Sequence, residues 1–324
     1  MSLEGPKVDF SRMYEPKDII ELIADNVRKT RNPLGLSNSA INTWWKDLGI
    51  KREGTTMLFT GLMYQLIPYI ENMTKRLESY ETSWLKDKVG MAKMLPKFLL
   101  RLLFGKPISK EVKERFDNIV KNIARLLMKA SVDFCYKPEV DNYSGILLYD
   151  LGDIDGFKEH ARYVVSSLKE AGVKEVITVD PHTTYAFRVL YPKLIGEEIK
   201  AYTYFETLSQ HSIEGKSDLK ITIHDPCFYG RYLKVSDVPR VILSNLGVEV
   251  RETENHGKLT ICCGGPLESL YPSYAKELGK RRVEELKKTG CPIIGMCPIC
   301  LANLGRAGIE IKDLSELLSE IILK

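Results

Sequence analysis

Three short apolar runs in the last third of the chain each stop at cysteine: "KITIHDPC" at Cys227, "KLTICC" at Cys262 and Cys263, and "PIIGMC" at Cys297. Each has the length of a strand rather than a helix. Helical patterns lie between them, "VPRVILSNLG" after the first and "PSYAKELGKRRVEELKKTG" before the third. Strands alternating with helices build a parallel sheet, and α/β folds hold ligands in the crevice beyond the carboxyl ends of such strands. This reading puts Cys227, Cys262, Cys263, Cys297 and, through "MCPIC", Cys300 at the ends of three strands of one sheet.

Pro298 presets a helical turn after Cys297, so Cys300 lies where both sulfurs can face one point. The N–H groups of that helix start favour thiolate. Adjacent strand residues point to opposite faces. Cys262 and Cys263 can therefore share a site only if the chain turns beside them, which Gly264 and Gly265 permit. A C-x-x-C serves zinc, iron–sulfur and thiol redox sites alike. A structural zinc takes four ligands, fewer than the five here, whereas an iron–sulfur cluster holds several metal atoms. A relay of Cys297 and Cys300 leaves Cys227 and the vicinal pair unexplained. Iron–sulfur leads on these grounds, with zinc and thiol redox still open.

Seven cysteines in all, only Cys135 of them before Cys227, and no signal-peptide pattern argue against a disulfide framework. Cys135 and Cys291 read as small buried apolar residues. Forty-seven basic and 43 acidic residues, net +4, are too balanced to imply nucleic acid. No apolar stretch reaches the roughly 18 residues of a spanning helix, so the cytoplasm is the expected compartment.

The chain divides into a helical N-terminal segment (1–52), an α/β domain (53–216) carrying a helical insertion (81–130), and a second α/β domain (217–324). The N-terminal segment is predicted to hold helices over 15–31 and "SAINTWWKDLG". In the first domain a strand at 55–60 runs into a helix at 64–80. There "SGILLYD" and "EVITVD" read as strands, with "DGFKEHARYVVSSLKEAGV" and "PHTTYAFRVLYPKL" as helices. In the second domain "EVRETE" and "LTICC" read as strands between the cysteine-bearing elements. The expected fold is α/β, with two pseudo-repeated Rossmann-like βαβ lobes. Within the insertion, helix 84–104 sets Leu85, Val89, Ala92, Leu95, Leu99 and Leu102 opposite Lys86, Lys93, Lys97 and Arg101. That face suits packing on its own domain or a partner subunit, or else a membrane surface.

"HDPCFYGRYLKVSDVPRVIL…ENHGKLTICCGG…GCPIIGMCPICLANL" resembles the cysteine-rich CCG domain found in the B and D subunits of the heterodisulfide reductase family, over roughly 219–310. The resemblance implies that Cys227, Cys262, Cys263, Cys297 and Cys300 ligate one [4Fe–4S] cluster, noncubane in the reductases. Phe228 stands where relatives often have histidine. The family usually carries two such domains, and the first half matches the outline of the other with its ligands replaced. Leu62 takes the place of the first cysteine, Tyr143 and Ser144 of the vicinal pair, and Asp180 and Thr183 of the C-x-x-C. "IADNVRKTRNPLGLSNSAINTWWKDLGI" resembles the linker that follows a ferredoxin module in the D-type proteins of that family. The implied partners are other subunits of such a complex, including a ferredoxin-type iron–sulfur subunit, together with a disulfide, thiol or sulfur substrate.

The resemblance thus points to an oxidoreductase subunit of a heterodisulfide-reductase-like complex, sulfur oxidation included. The alternatives are a membrane-associated dehydrogenase subunit passing electrons to quinone and a zinc-bearing scaffold. Catalytic candidates are few. His224 and Asp225 adjoin Cys227 and suit either a supporting or proton-donor role or plain structural hydrogen bonding. His182 and His256 are equally ambiguous, and Asp180 fits a helix N-cap ahead of Pro181.

Overall fold

The computed structural model describes residues 16–81 and 108–323. The segment 84–104, expected to be a helix with a docking or membrane face, lies outside them. Helix Pro16–Thr30 and helix Lys110–Lys129 match the expected N-terminal helix and the end of the insertion.

Among the described residues, seven strands make two parallel sheets. The first holds β1 (Thr56–Phe59), β2 (Glu175–Thr178) and β3 (Lys200–Thr203) in the order β1-β2-β3. The second holds β4 (Lys220–Ile223), β5 (Glu249–Val250), β6 (Ile293–Gly295) and β7 (Ile311–Asp313) in the order β5-β4-β6-β7. The runs in β1, β2, β4 and β6 are apolar because helices cover both faces of each sheet. Met57, Leu58 and Phe59 are wholly buried.

The order β1-β2-β3 recurs as β4-β6-β7, and local chemistry recurs with it. β3 enters helix Tyr204–Ser209 through a Thr203/Glu206 capping box, and β7 enters helix Leu314–Ile322 through an Asp313/Glu316 one. Gly145 and Gly264 occupy corresponding turns with the same left-handed φ of 84°. Asp180 and Cys297 each cap a helix that opens on proline. Side chains tie the lobes together: Tyr64 OH donates to Asp313 (2.7 Å), Thr74 to Glu268 (2.9 Å) and Arg115 to the Ile311 carbonyl (2.7 Å).

Four expectations fail for physical reasons. "SGILLYD" is helix Ile146–Asp150, not a strand. The edge beside β1 is taken by Cys135, whose backbone exchanges hydrogen bonds with Thr56 and Leu58, and left-handed Gly145 turns the next segment into a helix. "LTICC" is not a strand either. A 3₁₀ turn at Gly257–Leu259 runs into it, and Asp225 accepts the Gly257 N–H and, through its carbonyl, the Thr260 hydroxyl. "EVRETE" pairs only through Glu249–Val250, and "SAINTWWKDLG" is helical only over Asn38–Ile41.

His160, on helix Ile154–Glu170, lies under the Gly145 turn with Nε2 2.6 Å from the Tyr143 carbonyl. Burial pushes this imidazole from its ordinary 6.5 down to about 4. The unfolded chain therefore takes up a proton below pH 6.5 that the folded chain refuses, and stability falls as pH drops towards 4. The wild type is expected to lose about 2 kcal/mol between pH 8 and pH 5 relative to His160→Gln, read from urea unfolding of both proteins.

Candidate metal centre

His224, Asp225 and Cys227 follow directly on the end of β4. Asp225 is fully buried and works as a structural anchor. It accepts both Arg240 Nη groups at 2.8 Å and the Gly257 N–H at 2.7 Å, while its carbonyl accepts Thr260 Oγ1 at 2.7 Å. These bonds fold residues 257–260 back over the end of β4 and place Cys262 beside Cys227. The chain then turns at Gly264, whose N–H points at Cys262 Sγ (3.4 Å), while Asn303 Nδ2 holds the Cys263 carbonyl. The vicinal sulfurs thus reach the same place through a loop rather than a strand end. β6 supplies Cys297 as N-cap of helix Pro298–Arg306, and Cys300 follows in its first turn.

The five sulfurs form one connected group. Cys262 contacts Cys227 and Cys263, Cys263 lies 3.2 Å from Cys300, and Cys300 contacts Cys297. Cys263, Cys297 and Cys300 are buried, whereas Cys227 and Cys262 are half-buried and form the open side. Their acidities diverge as crowding demands. Hydrogen bonds from Cys227 and Cys263 hold the Cys262 thiol far below its ordinary range. Burial pushes Cys297 up, but hydrogen bonds from Cys300 and His182 outweigh it and bring the thiol down to about 6. The hydrogen bond to Cys262 and burial raise Cys227, and neighbouring thiols raise Cys263 and Cys300. The group cannot hold five negative charges by itself. A polycationic core among the sulfurs removes that conflict, so the donor set fits a polynuclear metal group.

Cys135 and Cys291 lie elsewhere, donating to the Gly54 and Thr289 carbonyls. Cys135 is buried as expected, but Cys291 is only half-buried. His256 Nδ1 is engaged by the Thr253 carbonyl (2.7 Å). His224 is fully buried, and its ligand nitrogen lies within 4.8 Å of the Cys263 and Cys300 sulfurs.

In the first lobe Leu62, Tyr143, Ser144, Asp180 and Thr183 are all buried. Asp180 is the N-cap expected, accepting the His182 and Thr183 N–H groups at 2.9 and 3.0 Å. A Cβ on Gly61 would lie 2.1 Å from Thr183 Oγ1, so Thr183 packs directly on the Gly61 backbone. This lobe nevertheless reaches the sulfurs, with His182 Nδ1 3.9 Å from Cys297 Sγ and 3.5 Å from Asp180.

Sequence reasoning missed the surroundings of the open side. Asp150 and Arg231 act electrostatically on Cys262. Phe228 stacks with Tyr185 (4.9 Å) and Tyr232 (5.2 Å), the latter 54% exposed. A π-helical turn, Phe228–Tyr232, presents these rings, a distortion common at functional sites. The signal was present in the aromatic spacing of "CFYGRY", but only the tertiary fold brings Tyr185 and Asp150 to it.

Residues 221–305 match the family described as the CCG cysteine-rich domain. The second lobe is a CCG domain. The chain is 31% identical over 227 residues to a probable iron-sulfur-binding oxidoreductase, FadF, of Bacillus subtilis, an alignment covering 64% of this chain and 32% of the relative. It is 30% identical over 220 residues to the D subunit of dihydromethanophenazine:CoB–CoM heterodisulfide reductase from Methanosarcina mazei, covering 61% and 54%. It is 32% identical over 157 residues to the EtfAB:quinone oxidoreductase of Syntrophomonas wolfei, covering 47% and 22%. The chain thus spans between about a fifth and about half of these relatives' lengths. Among the described residues no helix is long and apolar enough to cross a membrane.

Proposed function

We propose that the CCG lobe holds one [4Fe–4S] cluster on Cys227, Cys262, Cys263, Cys297 and Cys300, and that the chain is an iron–sulfur oxidoreductase subunit. The observation that carries this reading is the unbroken contact of five sulfurs at the end of a parallel sheet. When bound, such a cluster supplies one-electron transfer. The protein's residues set the conditions. Cys263, Cys297 and Cys300 are sealed from water, while Cys227 and Cys262 face the approach. Arg231 places positive charge near Cys262, and the Tyr185, Phe228 and Tyr232 rings give that approach an apolar wall. Electrons and substrate arrive from that side.

The relatives named as heterodisulfide reductase subunits favour a disulfide, thiol or sulfur compound as redox partner, and a complex in which a ferredoxin-type subunit exchanges electrons with this chain. The quinone oxidoreductase relative supports a second reading, electron passage towards quinone. In both the three domains are a helical segment, a cluster-free α/β lobe and the CCG lobe. Anaerobic purification and reconstitution tests the common core. Iron and acid-labile sulfide in equal amounts, roughly four of each per chain, and an EPR signal on reduction are expected. One zinc without sulfide would replace the reading with the scaffold.

A further inference from the structure

We infer that His224 is a fixed N–H donor to the sulfurs of Cys263 and Cys300, held in that role by Arg282 as a positioning residue. This inference rests on the cluster reading above.

Three observations carry it. Arg282 is wholly buried, with Nη1 committed to the Asn255 carbonyl at 2.9 Å and Glu285 Oε2 at 2.5 Å. Its Nε–H lies 3.2 Å from His224 Nδ1. Arginine only donates, so Nδ1 must accept and the ring proton sits on Nε2. That Nε2 is buried and has no hydrogen-bond partner among the described residues. A ring nitrogen lies within 4.8 Å of the Cys263 and Cys300 sulfurs. A buried N–H without an acceptor is strongly unfavourable, and a ligating sulfur beside the ring supplies that acceptor. The backbone fixes the approach, because the His224 N–H is bound to the Ile294 carbonyl at 2.8 Å between β4 and β6.

The consequence concerns the reduction potential. An N–H bond to a ligating sulfur stabilises the more negative, reduced form and raises the potential. Cys263 and Cys300 are buried, whereas Cys227 and Cys262 form the open side, so the donor acts on sulfurs within the protein.

The test compares anaerobically reconstituted full-length wild type, His224→Phe and His224→Gln. EPR-monitored redox titration is read beside iron and sulfide content. His224→Phe is expected to keep its iron while the reduction equilibrium shifts about tenfold towards the oxidised form, about 59 mV for one electron. His224→Gln, which can still donate, is expected to recover most of that shift. Full iron at unchanged potential in His224→Phe overturns the donor role and leaves the cluster reading intact. Iron lost from both variants but not from wild type overturns it in favour of direct ligation, and wild type free of iron overturns both readings. Should His224→Phe fail to fold, histidine labelled with ¹⁵N decides. A nitrogen coupling to the reduced cluster beyond that of His182, which lies beside Cys297, is expected in wild type and should be lost in His224→Gln, and a spectrum unchanged between these two overturns the proposal.

Discussion

Replacing Cys263 or Cys300 with alanine is expected to cut cluster iron more than about tenfold, while Cys135→Ala and Cys291→Ala leave it at the wild-type level. The contrast follows from position. Cys263 and Cys300 each contact two other sulfurs of the group, lie 3.2 Å apart, and are both buried, so no water can take the place of either. Cys135 and Cys291 donate to carbonyls outside the group. Cys227 and Cys262 fall between these extremes. They line the half-open side, where a water can enter, and their alanine variants are expected to retain part of the iron with an altered EPR signal. Iron and sulfide analysis after anaerobic reconstitution reads all six variants. Normal iron in Cys263→Ala or Cys300→Ala would dissolve the proposed ligand set.

Much of the architecture was legible because burial leaves a plain mark on the sequence. β1, β2, β4 and β6 are covered on both faces, so they appear as unbroken apolar runs. β3 was invisible for the converse reason. "KAYT" alternates, with Lys200 and Tyr202 exposed, and resembles loop. The segment before Cys262 misled in the opposite direction. Leu259 is 71% exposed and Ile261 is 39% exposed, so its apolar residues face solvent near the open side instead of filling a sheet. Its backbone is engaged by the Asp225 carboxylate, a partner 32 residues away from Gly257. No window of sequence could show that.

The five sulfurs were found from spacing and resemblance, but their surroundings were not. Nothing local to "VDPHTTYAF" tells that His182 reaches Cys297 in the other lobe. That contact exists because the two sheets repeat one plan and pack with their sites close together. It also gives the first lobe a physical role, since His182 places a ring nitrogen beside a buried sulfur, backed by the Asp180 carboxylate. Leu62, Tyr143, Ser144, Asp180 and Thr183 are all buried there, so these positions of the first lobe are filled by their own side chains.

Gly264→Ala is the backbone change expected to do most damage, and Gly290→Ala is its control. Both glycines are left-handed, at φ 84° and 68°, where a Cβ costs about 1–2 kcal/mol. At Gly290 nothing lies within 4 Å of the added atom, so that cost is the whole effect. At Gly264 the Cβ would lie 2.6 Å from the Ala275 carbonyl oxygen and 3.0 Å from Leu278 Cβ. The oxygen is backbone inside helix Pro272–Lys287 and cannot swing aside. Relief requires the turn itself to move, and the turn carries the Gly264 N–H bound to Cys262 Sγ and the Cys263 carbonyl held by Asn303. Gly264→Ala should therefore lose more than about 3 kcal/mol in urea unfolding of the iron-free chain. It should also fail to take up iron on reconstitution, whereas Gly290→Ala reconstitutes fully. Equal losses in the two variants would mean that the Gly264 turn does not set the geometry of the vicinal pair.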